Sequence, residues 1–430
     1  MENKKKKPKL TRIPSAKAVR SNKELAPASQ TQPENLTDKE RPISRPIIKR
    51  KKNAVPRSEK ALDITLVSGV DRPFLILVLT LLCIGTVMIF TASYAYASQN
   101  FQGDSYYFAK RQLIWVAVSI AAMFVTANFK YTFYEKWAPL ISFAALALLA
   151  LVPIIGYSAK GAKRWIGFGD INIQPSELIK IAVVIFIAWY ATKFAHHIQS
   201  FWKGLVFVMT FVGIADLLLV LQPHLSAMII ITALAFIMLF LGGVRIRYLI
   251  ASALVGVVGI AGIIGLTDHG RSRIRVWLNP EDYLLGEGWQ PYQSKLAIGS
   301  GGLWGVGLGQ SRQKHLYLPE PQNDYIFAIL CEELGFICAV AVIVLFMLLV
   351  WRGFYIARNA PRRFPALVAM GLTIHIAIQV LLNIAVVTNA IPATGVSLPF
   401  FSYGGSSLVT QMAEMGIILN ISKYSYIDRN

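Results

Sequence analysis

The most regular feature of the chain is a series of long apolar segments separated by short polar ones. From Pro73 to Gly103 there is no Asp, Glu, Lys, Arg or His, and about 20 apolar residues are enough to cross a bilayer. Further apolar segments follow at about 112–129, 137–156, 177–192, 204–221, 225–241, 248–266, 325–350, 364–390 and 404–421. Each must be helical in lipid, where a free backbone amide finds no partner. We therefore predict an all-α polytopic membrane protein with about ten transmembrane helices over residues 73–422. A kink at 222–224 would change that count by one.

The loops between these segments predict the orientation. With the N-terminus inside, the inner loops carry ten Lys and Arg residues and the short outer loops carry five. Because Lys and Arg gather on the cytoplasmic side, we predict an N-in/C-in topology with a short cytoplasmic C-terminus at 423–430. Residues 267–323 then form one large extracellular loop. Its many aromatic residues predict that it folds back onto the membrane surface, with an amphipathic helix near 289–299.

Charge and cysteines refine this prediction. The net charge of +20 divides into +11 for residues 1–72 and +9 for the rest. The first segment is polar, proline-rich and without an apolar signal region, so it is predicted to be a disordered basic cytoplasmic tail. Neither region combines its charge with a nucleic-acid-binding fold, so we expect no nucleic acid partner. All three cysteines (Cys83, Cys331 and Cys338) lie in apolar segments and are interpreted as small core residues.

A basic motif precedes the fourth predicted span. Lys163 and Arg164 lie beside Trp165 at the outer interface, where basic groups suit a lipid phosphate. Glu177 begins the following helix, and Lys180 lies one turn on, within reach of it. An intramembrane Lys facing a helix bundle is a candidate site residue. The alternative is an interfacial anchor followed by a structural ion pair.

A second acidic motif follows the large loop. Asp324 lies at the outer end of a long apolar helix, where it could be either a helix cap or a general base. Glu332 and Glu333 lie deeper in the same helix, and their burial is unfavourable unless they are paired or protonated. Arg273 and Arg275 of the loop are further candidates for binding a phosphate.

Three other motifs have weaker functional interpretations. His224 follows a proline break and is interpreted as a polar helix cap rather than a metal ligand. The glycine-rich stretch 299–309 lacks the lysine of a nucleotide-binding loop and predicts flexible turns near a substrate. The uncharged stretch 392–407, which contains Ser402 and Tyr403, is either a wall of a substrate groove or a tight re-entrant turn.

These motifs carry a family resemblance. Residues 162–180, 221–226, 288–334 and 383–407 resemble the SEDS family of FtsW, RodA and SpoVE, above all in the run Leu398-Pro-Phe-Phe-Ser-Tyr-Gly-Gly-Ser-Ser407. With the ten-span layout, the resemblance covers residues 73–422. Many family members have an aspartate where this chain has His224, so a carboxylate role is not carried over to that position. The histidine and the long tail favour an FtsW- or SpoVE-like member.

The resemblance implies a function. The family is understood as peptidoglycan glycosyltransferases of the bacterial cytoplasmic membrane that polymerise lipid II with a class B penicillin-binding protein, among other divisome or elongasome membrane proteins. It implies that Asp324 is catalytic and that Arg164, Lys163, Glu177, Lys180, Arg273, Arg275, Ser402 and Tyr403 bind the substrate. No metal ligand set is visible, although a divalent cation (Mg or Mn) could contribute. The alternatives are a lipid II flippase and a non-catalytic scaffold for division.

Overall fold

A computed structural model describes residues 69–425, apart from 160–161, 169–170, 267 and 316. The prediction of a disordered basic tail at 1–72 concerns residues that almost all lie outside this range. Most of the cytoplasmic C-terminus predicted for 423–430 also lies outside it. Both therefore stay predictions.

The described part of the chain is mostly helical. A turn of π-helix (Phe201–Val206) precedes α5, and a short 3-10 helix (Pro280–Tyr283) separates α8 from α9. The helices are α1 (Arg72–Asn100), α2 (Tyr107–Asn128), α3 (Tyr131–Ile155), α4 (Pro175–Lys193), α5 (Phe207–Leu221), α6 (Leu225–Gly242), α7 (Ile246–Leu266), α8 (Asp268–Leu278), α9 (Trp289–Gly301), α10 (Ile326–Arg358), α11 (Arg363–Val387) and α12 (Gly405–Lys423).

The predicted spans correspond to helices of this bundle. Within the described residues, eight helices are long and apolar enough to cross a membrane, namely α1–α6, α10 and α11, with α5 counted together with its π-turn. At the two other predicted places, α7 contributes a shorter apolar stretch, and α12 carries the polar residues Thr410, Gln411 and Glu414. The helical membrane fold is confirmed, whereas the count of ten spans stays a prediction.

A small sheet before α4 departs from the all-α prediction. Strands β1 (Tyr157–Ala159), β2 (Ala162–Phe168) and β3 (Ile171–Ile173) pair antiparallel in the order β1-β2-β3. This segment lies between two spans, where strand pairing satisfies backbone groups that no helix takes up. The side chain of Ile166 in β2 is buried. Sequence analysis missed these strands because each is only three to seven residues long.

The large outer loop contains two helices. The helix predicted near 289–299 is present as α9, but it is not amphipathic, because its buried side includes the polar residues Gln293 and Ser294. Helix α8 was not predicted. Helix α9 packs closely on α10, because a Cβ on Gly301 would lie 2.0 Å from the carbonyl oxygen of Cys331. The buried hydroxyl of Ser294 donates a hydrogen bond to the carbonyl of Val387 at 2.7 Å. Helix α9 therefore packs against the end of the bundle where α10 begins and α11 ends.

Contacts at the opposite end of the bundle join three helices. The guanidinium of Arg352 on α10 donates to both carboxylate oxygens of Asp71, with a shortest distance of 2.8 Å. Asp71 also caps α1 by accepting from the amide of Phe74 at 2.9 Å. Its own amide donates to the Ser422 hydroxyl of α12 at 3.1 Å. The start of α1 is thus fixed between α10 and α12.

The cysteines only partly follow the prediction of core positions. Cys331 is buried, as predicted, but Cys83 and Cys338 are exposed. The prediction was wrong for these two because an apolar segment of a membrane protein has a lipid-facing side as well as a core side. A small apolar residue is compatible with either side.

Candidate active site

Asp324 lies immediately before α10, in a tightly built junction. Tyr325 occupies the N-cap position of α10, so Asp324 is not its cap. The buried amide of Asn383 donates to the carbonyl of Asp324 at 2.8 Å and to that of Val396 at 2.7 Å. A Cβ on Gly395, whose φ is +67°, would lie 3.2 Å from Asp324 Oδ2. The carboxylate is therefore framed by α11 and by the segment that follows it.

Two arginines of other segments lie at this junction. Arg164 of β2 donates from Nε to the carbonyl of Gln222 at 3.2 Å, and its Nη2 contacts the carbonyl of Pro223. Arg273 of α8 donates from Nη1 to the carbonyl of Ala393 at 3.5 Å. The pKa of Arg164 is lowered, mainly by burial and then by the charge of Arg273, while the charge of Asp324 acts in the opposite direction. Arg164 thus lies within electrostatic range of both Arg273 and Asp324.

Two predicted basic residues lie apart from this cluster. Lys163 is exposed on β2. Successive side chains of a strand point to opposite faces, so Lys163 points away from the face that Arg164 uses. Arg275 is exposed on α8 and donates to the carbonyl of Arg271 at 3.4 Å. Of the four basic outer residues predicted from the sequence, the structure therefore brings Arg164 and Arg273 together.

Glu177 and Lys180 form an ion pair at the start of α4. The ammonium nitrogen lies 2.9 Å from Glu177 Oε2, and the side chains are 2% (Lys180) and 9% (Glu177) exposed. The Ser407 hydroxyl of α12 donates to the same carboxylate oxygen at 3.4 Å. The predicted contact is present, and it joins α4 to the end of the 392–407 segment.

Ser402 and Tyr403 close that segment against the site. The Ser402 hydroxyl accepts from the amide of Leu398 at 2.8 Å, which fixes a tight turn. The amide of Tyr403 donates to the carbonyl of Gln322 at 2.8 Å, two residues before Asp324. The Tyr403 ring packs edge-on against Phe108 of α2, with ring centroids 4.8 Å apart. Both residues shape the surroundings of Asp324 through these contacts.

His224 has the position, but not the bonding, of a helix cap. It is the N-cap residue of α6, yet its side chain makes no capping hydrogen bond. Burial lowers its pKa to about 4, and the charge of Arg164 adds to this effect. The imidazole is consequently neutral at neutral pH and adds no positive charge beside Arg164.

Two further features involve residues that were not among the predicted site residues. Asn383 was noted only as a boundary of a motif, although an intramembrane amide signals a hydrogen-bonding role. His375 of α11 and Glu414 of α12 lie 2.9 Å apart and are both fully buried. Ionisable residues on two separate spans were the available signal for that pair.

A resident metal finds little support in these side chains. Among the described residues, no group of three or more His, Cys, Asp or Glu side chains is placed to hold a metal ion. Asp324 and the two arginines instead form a site of mixed charge, suited to an anionic substrate that carries a proton to be removed.

Comparison with known proteins decides the family. A family model described as "Cell cycle protein", which covers FtsW, RodA and SpoVE, matches residues 72–427. Stage V sporulation protein E of Bacillus subtilis is 43% identical over 357 residues, which are 83% of this chain and 97% of that protein. The chain belongs to the FtsW/RodA/SpoVE family. The resemblance carried by the motifs is thereby confirmed.

Other members of the FtsW/RodA/SpoVE family agree in length and fold. A probable peptidoglycan glycosyltransferase FtsW of Trichlorobacter lovleyi is 40% identical over 82% of this chain and 93% of its own. A chain from a structure described as a peptidoglycan synthase complex that coordinates polymerization and crosslinking matches with a TM-score of 0.70. It is 26% identical, over 84% of this chain and 99% of its own. The rod shape determining protein RodA of Thermus thermophilus matches with a TM-score of 0.61 at 25% identity, over 84% of this chain and 98% of its own.

Membership of the FtsW/RodA/SpoVE family, together with the apolar helices, makes the chain a multi-pass protein of the bacterial cytoplasmic membrane.

Proposed function

We propose that the protein is a peptidoglycan glycosyltransferase that polymerises lipid II at the outer face of the cytoplasmic membrane. The observation that carries the proposal is that Arg164 lies within electrostatic range of both Asp324 and Arg273 at one end of a membrane bundle. Relatives 35–40% identical are named as probable peptidoglycan glycosyltransferases. A lipid-linked sugar needs an enzyme of this kind, since its lipid tail stays in the bilayer while its sugars lie at the surface.

Asp324 is the general base in this proposal. The 4-hydroxyl of the acceptor's N-acetylglucosamine attacks C1 of the donor's N-acetylmuramic acid, and Asp324 takes the hydroxyl proton as the new glycosidic bond forms. A hydroxyl is a weak nucleophile, and a positioned base accelerates such a step by about 10²–10⁴-fold. The bond from C1 to the lipid diphosphate breaks with its electron pair staying on the diphosphate.

Arg164 and Arg273 hold the diphosphate. Negative charge develops on the leaving oxygen, and fixed cations stabilise it most strongly where water is excluded. Arg164 is half-buried, and carbonyl groups orient its guanidinium. A planar guanidinium can bind a phosphate with two parallel hydrogen bonds. Lys163 and Arg275, which are more exposed, would meet the headgroup only at the rim.

Glu177 and Lys180 contribute in a different way. Their charges compensate each other at 2.9 Å, so the pair adds little net charge to the diphosphate site. Through Ser407, the pair holds the segment that carries Ser402 and Tyr403. We assign these four residues to shaping the cavity in which the lipid-linked substrate binds.

A single catalytic carboxylate favours direct displacement. Attack from the face opposite the leaving diphosphate inverts the configuration at C1 and forms a β-linkage, whereas a retaining route would need a second carboxylate as nucleophile. A divalent cation would take its ligands mainly from the substrate diphosphate, because Mg²⁺ is typically bound by one or two carboxylates together with phosphates. No step is assigned to it.

A partner is also part of the proposal. The structural relative with a TM-score of 0.70 comes from a complex that coordinates polymerization with crosslinking. We infer that this chain works with a class B penicillin-binding protein, which would crosslink the strands, and with other membrane proteins of division or elongation.

The decisive experiment is polymerisation of labelled lipid II by the purified protein, with and without its transpeptidase partner. Asp324→Asn is expected to lower the rate about 10³-fold, as loss of a general base should. Asp282→Asn, a control on an exposed carboxylate of the same outer loop, is expected to keep full activity. Full polymer formation by Asp324→Asn would refute the assignment.

Translocated monomer without polymer would instead favour the flippase, which could use the buried charges of α4, α11 and α12. Partner binding without either product would favour a scaffold.

A further inference from the structure

Two adjacent carboxylates are buried near the outer end of α10. Glu332 and Glu333 are each 1% exposed, although two neighbouring negative charges in an apolar environment are strongly destabilising. The residues that compensate them belong to the outer loop, between α9 and Asp324. We call this group of residues, Ser311–Lys314 with Glu332 and Glu333, the carboxylate clamp.

Glu333 is compensated by a buried cation. The ammonium group of Lys314 lies 3.0 Å from Glu333 Oε1, with side-chain exposures of 4% (Lys314) and 0% (Glu333). The same ammonium group donates to the carbonyl of Gly309. Removing one partner of a buried ion pair leaves the other charge uncompensated, which is strongly destabilising. The pair therefore ties the loop to α10 with more force than a surface ion pair could.

Glu332 is compensated by backbone amides. It accepts from the amide of Arg312 at 2.9 Å and from that of Gln313 at 3.4 Å, and the hydroxyl of Ser311 donates to its second oxygen. Consecutive amides that point at one carboxylate form a concave anion site. The bond pattern fixes the path of the loop backbone at this point.

Backbone hydrogen bonds complete the attachment where α10 is interrupted. Gly335 has φ 77° and ψ 179°, so the helix cannot continue its own bonding there. The amides of Val306 and Gly307 instead donate to the carbonyls of Glu332 and Glu333, both at 3.0 Å. A Cβ on Gly305 would lie 2.3 Å from the Glu333 carbonyl oxygen. The loop backbone thus packs directly into the break of the helix.

The clamp closes a loop around Asp324. Asp324 lies ten residues after Lys314 and eight residues before Glu332. Both ends of this stretch are thereby held at one point, and closing a loop removes much of the conformational freedom of the residues inside it. The hydrogen bond of Asn383 to the Asp324 carbonyl fixes the middle of the same stretch.

We propose that Lys314, Glu332 and Glu333 are positioning residues that hold Asp324 in its working place. Opening the clamp releases the stretch 315–323 while the helix bundle stays folded. This inference rests on the proposed function only in taking Asp324 as the reacting group. Its structural half can be tested without any substrate.

The native cysteines provide that test. Cys331 is buried beneath α9, one residue before Glu332, whereas Cys83 and Cys338 are exposed. In a Cys83→Ser, Cys338→Ser background, labelling by a water-soluble maleimide reports on Cys331 alone. Lys314→Met is expected to raise the labelling rate at least tenfold. The matched control is Arg271→Met, which removes an exposed cation outside the clamp and is expected to change the rate less than twofold.

Polymerisation kinetics test the functional half. Lys314→Met and the isosteric Glu333→Gln are each expected to lower kcat at least tenfold, with KM for lipid II within twofold and the unfolding temperature of the bundle retained. The double variant is expected to lose no more activity than either single variant, because the pair acts as a unit.

Unchanged Cys331 labelling in both single variants, or additive losses of activity in the double variant, would overturn the proposal. Increased labelling with full kcat would also overturn it, since the clamp would then open without moving Asp324. Inactivity of the unmodified protein would instead refute the proposed function and leave the labelling result standing.

Discussion

The buried pair Glu177–Lys180 allows a quantitative test of how the bundle tolerates charge. Lys180→Met removes the cation and leaves a carboxylate in the interior, and Glu177→Gln does the converse. The double variant removes both charges. The matched control is Lys110→Met, since Lys110 pairs with Asp104 at 3.0 Å but the side chains are 66% (Lys110) and 39% (Asp104) exposed.

The magnitude follows from distance and burial. At 2.9 Å and an effective dielectric constant of about 20, the attraction is about 6 kcal/mol. Desolvation of two charges offsets most of this attraction, but removing one partner leaves an uncompensated charge and costs about 3–5 kcal/mol. Either single variant is thus expected to lower the unfolding temperature by on the order of 5–10 °C. The double variant is expected to recover most of that loss, because neutral replacements of a buried pair are often tolerated.

The assay is thermal unfolding in detergent, followed by polymerisation at a temperature where every variant is folded. Lys110→Met is expected to leave the unfolding temperature unchanged, because exposed pairs contribute little. Single variants with the same unfolding temperature as Lys110→Met would refute the argument that burial makes the Glu177–Lys180 pair important for stability. A folded double variant with less than a tenth of the activity supports a substrate-binding role for the pair in addition to its structural one.

Three further substitutions test the surroundings of Asp324 by the same polymerisation assay. Arg164→Lys keeps the charge but loses the fork that bonds to two carbonyls, so we expect at least a tenfold loss; wild-type activity would contradict the bidentate role. Gly395→Ala places a Cβ 3.2 Å from Asp324 Oδ2 at a φ of +67°. It is expected to lower kcat with a smaller effect on KM, and a folded variant with full activity would show that the contact is unimportant. Asn383→Ala removes two buried hydrogen bonds and is expected to destabilise the protein by about 2–4 kcal/mol, measured as a shift in unfolding temperature; a shift below 1 °C would contradict it.

The helical spans were predictable because lipid leaves the backbone few choices. In lipid, the backbone N–H and C=O groups of an uncharged segment such as 73–103 are all hydrogen-bonded only if the segment forms a helix. The small sheet was not predictable to the same degree, because short strands in an outer loop leave a weak pattern. Because β2 was not predicted, the difference between Lys163 and Arg164 was not predicted either. These two residues are neighbours in sequence but lie on opposite faces of β2. Which neighbour faces Asp324 depends on strand alternation, and so on knowing that a strand is present.

The convergence of the site depended on tertiary packing. Asp324, Arg164 and Arg273 come from three separate outer segments, and only the folded loop brings their charges within range of one another. Glu332 and Glu333 were expected to need partners. Their partners are Lys314 and consecutive backbone amides. The amides could not be predicted from the sequence, because almost every residue has a backbone N–H group.

The bonding of the outer arginines explains why this end of the bundle favours an anion. Arg164 and Arg273 donate to main-chain carbonyls, which orient a guanidinium without cancelling its charge. At the opposite end, Arg352 donates to both oxygens of the Asp71 carboxylate, and that pair is close to neutral. Asp324 offsets only one of the two outer charges, so the site keeps about one net positive charge before substrate binds. A diphosphate would supply the missing negative charge, and its departure would be stabilised by cations already held in place.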